Sequence, residues 1–156
     1  MPELRRKDRE ETKEFALNLF KNCQYATLAT VNPDGTPYCI PISPVLINDY
    51  LYFHSAKIGQ KITNIMSNPS VCVSCVGYTK LIPEQFTTEF ASAVAHGQIE
   101  IIEDEKEKIT VLKQLCLKYA ATNMDNFEKA IEASLNRTGI YKIIINCITE
   151  KSKKIK

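Results

Sequence analysis

The residues best suited to chemistry stand together in one short stretch, Phe53-His54-Ser55-Ala56-Lys57-Ile58-Gly59-Gln60-Lys61. It holds an imidazole, a hydroxyl, two ammonium groups and a flexible glycine. The aromatic run at residues 50–53 predicts a strand before it, and Ile58, Ile62, Ile65 and Met66 recur after it at the spacing of one helical face. Ser55 stands where the N-cap of a helix over residues 58–67 would stand. A helix start offers unpaired backbone N–H groups and the positive end of a dipole. With a hydroxyl donor and Lys57 and Lys61 beside it, that is what an anion needs, and the stretch reads as a phosphate site. A capped amphipathic helix with two surface lysines would show the same residues, so the rest of the chain has to decide.

Other constellations carry less. Cys72-x-x-Cys75 invites a redox or zinc reading, but residues three apart in a strand face opposite sides, and no second pair completes a four-ligand site. His54 and His96 are the only histidines, and neither has the spacing to a second ligand that a metal site shows, so no metal is expected. His54 ends a strand just before the anion site, where side chains point at ligands. His96, next to Gly97, reads as a surface or bulge residue. There is no Gly-x-Ser-x-Gly elbow, no Gly-Lys-Ser/Thr phosphate loop and no Gly-x-Gly-x-x-Gly, so hydrolase and nucleotide-triphosphatase readings lose support. Glu103-Asp104-Glu105 sits at a helix start, where acidic residues favour the dipole.

The elements that must position these residues fit one domain over residues 1–156. Hydrophobic content of 44%, charged content of 24% and a net charge of +2 describe an ordinary globular chain, with too little charge to imply nucleic acid. The charged start has no apolar core and no run approaches the roughly 18 apolar residues of a membrane span, so a cytoplasmic protein with no membrane partner is expected. Six scattered cysteines would then stay as thiols.

Residues 1–10 form a charged arm. Phe15, Leu19, Phe20 and Cys23 predict an amphipathic helix over residues 11–23. Residues 25–31 read as a strand, Asn32-Pro33-Asp34-Gly35 as a tight turn, and residues 36–47 as the returning strand. Pro37, Pro41 and Pro44 mark it as an edge, a bulge or a surface that meets something else. A turn at Asn48-Asp49 then leads to residues 50–54, completing a three-stranded meander. Further strands are expected at residues 70–76, 86–102 and 140–148, with a loop at 77–84 and a bulge at Gly97. Helices follow at Asp104, whose apolar face is Ile109, Leu112, Leu115, Cys116 and Tyr119, and at residues 126–134. Residues 151–156 form a basic tail. About six strands with few helices predict a mainly β, mostly antiparallel barrel. The arm and tail are positive, but no aromatic stacking platform accompanies them, so no nucleic-acid partner is expected.

Several motifs in consistent order carry a resemblance. They are residues 5–10, Asp34-Gly35-x-Pro37-Tyr38-x-x-Pro41, Tyr52-Phe53-His54-Ser55-Ala56-x-x-Gly59-x-Lys61, Asn68-Pro69-x-Val71-Cys72 and Ser92-x-x-x-x-Gly97. This set resembles the nitroimidazole-resistance (Nim) family, which is similar in turn to pyridoxamine phosphate oxidases and other flavin mononucleotide (FMN) proteins, from about residue 5 to 150. The resemblance implies a six-stranded antiparallel split β-barrel and a homodimer with FMN at the subunit interface. By position, the His54-Ser55-Ala56 turn and Lys61 would hold the FMN phosphate, and Phe53, Lys57 and Gly59 would also bind the cofactor. Tyr38, Cys39, Ile40, Pro41 and Ile42 would lie along the isoalloxazine, Ser92 would approach the flavin, and His54 would be the catalytic residue. Gly59-Gln60-Lys61 stands where the family often has Gly-Lys-Lys, with Lys57 close enough in sequence to compensate, and His96 stands where an apolar residue is expected. The implied activity is an FMN-dependent oxidoreductase acting on a small molecule, such as a nitroaromatic compound. Pyridoxamine phosphate oxidation is not expected, because that enzyme's substrate-phosphate residues have no match near the C-terminus. The alternative is a non-catalytic split barrel that holds a flavin or haem for storage or sensing.

Overall fold

The computed structural model describes residues 4–155; residues 1–3 of the arm and 156 of the tail lie outside the described residues. Helix α1 (Lys13–Asn22) starts where Thr12 Oγ1 accepts the Phe15 N–H at 3.1 Å. Its Ala16 and Phe20 are fully buried, so the helix lies with its apolar stripe on the sheet.

Strands β1 (Ala26–Val31) and β2 (Pro37–Ile42) form the expected hairpin. Gly35 takes φ +85° in the turn, and Asp34 Oδ1 accepts the Thr36 N–H at 2.9 Å. Pro44 breaks the returning strand, so the chain resumes as β3 (Val45–Ile47). Asn48 and Asp49, both at positive φ, turn it into β4 (Tyr50–Ala56). After helix α2 (Gln60–Ser67) come β5 (Ser70–Ile82) and β6 (Thr87–Ile102), helices α3 (Glu105–Tyr119) and α4 (Phe127–Ser134), and β7 (Thr138–Lys153).

The strand order is β2-β1-β5-β6-β7-β4-β3, antiparallel throughout, with the sheet open between β2 and β3. Among the described residues there are seven strands rather than six, because Pro44 divides one expected strand into two. The expected meander does not form: β2 and β3 stand at opposite edges, and β4 pairs with the distant β7. The proline-bearing β2 therefore has a free side, where a missing N–H costs no ladder bond. The expected loop at residues 77–84 is mostly strand, continuing β5 past a bulge between Val76 and Tyr78. Part of the basic tail is strand too, since β7 runs to Lys153 and pairs with β6 there. Gly97 marks a register shift as expected; a Cβ there would stand 2.0 Å from the Ile144 carbonyl oxygen.

Alternation along β4 builds two cores. Leu51 and Phe53 face the barrel interior with Phe20, Leu28, Val73 and Tyr141. Tyr52 faces the other way, with Val111, Leu112, Leu115 and Phe127 of α3 and α4. Among the described residues no helix is long and apolar enough to cross a membrane.

Candidate functional site: the start of helix α2

Ser55 is not the N-cap of α2. It is still paired in β4 opposite Gly139, and its Oγ donates to the Ala56 carbonyl at 2.9 Å. The cap is Gly59, at φ +129° and ψ 172°, where no side chain bonds to the first turn. A Cβ on Gly59 would meet nothing within 4 Å, so open space lies over the helix start. The two conditions for an anion cradle, an uncapped helix N-terminus and room above it, are both present.

Lys61 lies in the first turn, with Nζ 5.8 Å from the centre of the Phe53 ring. Burial pushes its pKa below the usual lysine value. Among the described residues no carboxylate lies within ion-pair distance of it. A partly desolvated ammonium without a counter-charge is stabilised by an incoming anion. Lys57 is exposed nearby.

Phe53 is held by ring stacking on Tyr141, centroids 5.1 Å apart and planes at 24°. The Tyr141 hydroxyl donates to the Ala56 carbonyl at 3.1 Å. Gly139 makes room for that hydroxyl, since a Cβ there would come within 2.3 Å of it. His54 points the opposite way from Phe53 and faces a cleft of about 400 Å³ walled by Leu112, Leu115, Phe127 and Ile131. His54 is exposed, but crowding by the surrounding protein, and Lys61 next, lower its pKa and favour the neutral imidazole.

One positioning device escaped the sequence reading. Asn64, fully buried in α2, donates to Thr30 Oγ1 at 2.9 Å and to Asn32 Oδ1 at 2.8 Å. Gln60 donates to Asn64 Oδ1 at 2.8 Å and to Asn32 Oδ1 at 3.2 Å. The only signal was a polar residue between Ile62 and Ile65 on the apolar side of the helix. Through this network α2 joins the end of β4 to the β1–β2 turn, so the helix holds both the anion cradle and the hairpin that carries residues 38–42. On that edge strand Tyr38, Ile40 and Ile42 face inward, while Cys39 and Pro41 are exposed.

Ser92 is not brought to the cradle by its own chain. His54 pairs with Ile140 and Ile140 with Ile102, ten positions along β6 from Ser92. At about 3.3 Å per residue the separation is on the order of 30 Å. His96 lies on the outward face at the bulge, in a cross-strand row with Cys39, Ala29, Cys72 and Cys147. Cys72 Sγ is 3.9 Å from its Nε2. No group of three or more His, Cys, Asp or Glu among the described residues is arranged to hold a metal.

The pyridoxamine 5'-phosphate oxidase family model matches residues 12–152, and the chain belongs to that family. Its antiparallel sheet with peripheral helices is the split-barrel fold of the family, here with seven strands and an open edge. No curated protein matches the chain. Among solved structures it is similar to a candidate 5-nitroimidazole antibiotic resistance protein from Bacteroides thetaiotaomicron, at 24% identity and TM-score 0.78, covering 91% of this chain and 84% of that one. It is also similar to a FAD and heme binding protein from Mycobacterium smegmatis, at 18% identity and TM-score 0.82, covering 94% and 74%. A flavocytochrome from Azotobacter vinelandii aligns at 17% identity and TM-score 0.77, covering 98% and 73%.

Proposed function

We propose that the protein binds FMN and works as an FMN-dependent oxidoreductase on a small molecule, with a nitroaromatic compound as the substrate class. The observation that carries the reading is the uncapped start of α2 beside Lys61, an ammonium with no carboxylate partner among the described residues. The phosphate lies against Gly59 and Lys61, with Lys57, His54, Ser55 and Ala56 around it and Phe53 beneath Lys61. The isoalloxazine lies along Tyr38, Cys39, Ile40, Pro41 and Ile42, an edge strand with free main-chain groups. When bound, a flavin supplies the redox chemistry, and the protein supplies binding and electrostatics. His54, neutral at physiological pH, holds a ring N–H or a lone pair toward the cleft where the second molecule sits. The reading includes a homodimer with the cofactor at the subunit interface, because Ser92 can join the site only from a second chain. Solved neighbours described as FAD binding, and as FAD and heme binding, fit a flavin in this fold.

Adding FMN to the purified protein should produce protein-bound flavin absorption bands. Lys61→Ala should weaken binding by about 1.5–3 kcal/mol, roughly ten- to hundredfold in Kd. A protein that ignores FMN at any concentration sinks the reading. The second reading is a non-catalytic flavin- or haem-binding barrel for storage or sensing. It is favoured by the apolar cleft at His54, whose neutral imidazole could ligate a haem iron. A Soret band on adding haem, lost in His54→Ala, supports it; turnover of a reduced nicotinamide with a nitro acceptor supports the first.

A further inference from the structure

Away from the flavin site, two thiols meet at the end of α1. Cys23 closes the helix, and its Sγ donates to the Phe20 carbonyl at 3.3 Å. Cys75 points inward from β5, where the β1–β5 register sets its neighbour Ser74 opposite Thr27, four residues past Cys23. Both belong to one apolar cluster, Cys23 7% and Cys75 3% exposed. Lys118 of α3 donates to the same Phe20 carbonyl at 3.3 Å and to the Pro44 carbonyl at 2.8 Å, which puts its ammonium beside Cys23.

Among the described residues Lys118 has no carboxylate within ion-pair distance. A half-buried ammonium held by two carbonyls and the face of the Tyr119 ring, 4.9 Å from its centre, favours a negative charge close by, and a Cys23 thiolate is the group in reach. The influence of Cys75, with Lys118 adding to it against burial, brings Cys23 down to about 7, while Cys23, then burial, push Cys75 up. Cys23 also lines two open clefts, one with Asn18, Tyr25 and Gly77 and one with Lys21, Lys118 and Tyr119. An ionisable thiol with a solvent path and a second thiol in the same core is the arrangement of a redox-sensing cysteine and its resolving partner.

We propose that Cys23 and Cys75 form a redox-active pair, which a peroxide oxidises to a disulfide joining α1 to β5 and which a thiol reductant restores. The Cys23 thiolate attacks one peroxide oxygen, the O–O bond breaks, and the leaving hydroxide takes a proton to become water. The resulting Cys23 sulfenic acid is attacked by Cys75 sulfur, the S–O bond breaks, the S–S bond forms and a second water leaves with the Cys75 proton. Two electrons pass from the two thiols to the peroxide. The step does not depend on the flavin.

The full-length protein is treated with hydrogen peroxide, alkylated and digested without reductant, and linked peptides are sequenced by tandem mass spectrometry. The expected result is loss of two of the six thiols, a Cys23–Cys75 linked peptide and recovery of both thiols with dithiothreitol. In a Cys39→Ser/Cys72→Ser background, each tryptic peptide involved carries one cysteine, and the same link should form. Cys75→Ala should stop at a sulfenic acid on Cys23, trapped by dimedone. Lys118→Gln should slow iodoacetamide labelling of Cys23 at pH 7 several-fold, as a purely packed thiol would not. Six free thiols after treatment, a link between other cysteines, or dimedone trapped at Cys39 in place of Cys23 would overturn the proposal.

Discussion

Asn64 of α2 lies 2.8 Å from Asn32 of the β1–β2 turn, and this contact ties the candidate phosphate cradle to the hairpin on the sheet's free edge. Asn64 is fully buried, so its amide belongs to the core and not to the surface of the helix. The start of α2 is thereby anchored from both sides, by Tyr141 on the Ala56 carbonyl and by Asn64 on Thr30 and Asn32.

Replacing Asn64 by Ala takes the donor from the buried Thr30 Oγ1 and leaves Asn32 Oδ1 with its Gln60 bond alone. The expected loss is about 2 kcal/mol, against a few tenths for exposed Gln60→Ala. Denaturant unfolding of both variants checks it; an Asn64→Ala midpoint equal to the parent's would show that the network holds nothing.

At Gly97 the space is closed. A Cβ would overlap the Ile144 carbonyl oxygen, a backbone atom that cannot swing aside, so Gly97→Ala should lose about 3 kcal/mol or more. Gly35, at φ +85° with open space around it, should lose only about 1–2 kcal/mol on the same change. Thermal unfolding that ranks the two variants the other way contradicts the close approach of β6 to β7.

His54 titrates below its ordinary 6.5 because its surroundings, then Lys61, disfavour the cation. A histidine with a depressed folded-state pKa binds fewer protons folded than unfolded. Its contribution is present above pH 6.5 and is lost as pH falls through the folded value. Stability measured between pH 5 and 8, a range chosen around that value, should decline toward acid less steeply in His54→Asn than in the parent. Parallel curves would remove His54 as the source.

Glu150 presents the opposite sign. Its Oε2 is buried without a hydrogen-bond partner among the described residues, and burial, then Glu10 and Glu11, push its pKa above the ordinary 4.5. Its contribution is favourable only while the carboxyl is protonated, below pH 4.5, and is lost as pH rises through the folded value. Glu150→Gln should therefore raise stability by about 1 kcal/mol at neutral pH, with the gain fading in acid. A destabilised variant at neutral pH would mean that the carboxylate has a partner.

What the sequence by itself determined was local. Asn32-Pro33-Asp34-Gly35 turns the chain through φ and hydrogen-bond preferences that neighbours carry in their own side chains, and Asp104 caps α3 by accepting the Glu107 N–H at 2.9 Å. The apolar faces of α1 and α3, the strand before α2, the bulge at Gly97 and the ordered motifs that resemble the nitroimidazole-resistance family were legible for the same reason. Tertiary structure decided the pairings. Nothing near β4 in the sequence says that it pairs with β7 rather than continuing a meander, because pairing is settled by which edges meet once both cores are buried. The cap of α2 moved from Ser55 to Gly59 because Thr138–Lys153, as strand β7, holds Ser55 and Ala56 in the sheet. Asn64 bonds Asn32, and Cys23 shares one core with Cys75, across long stretches of chain, and only folding brings such groups together.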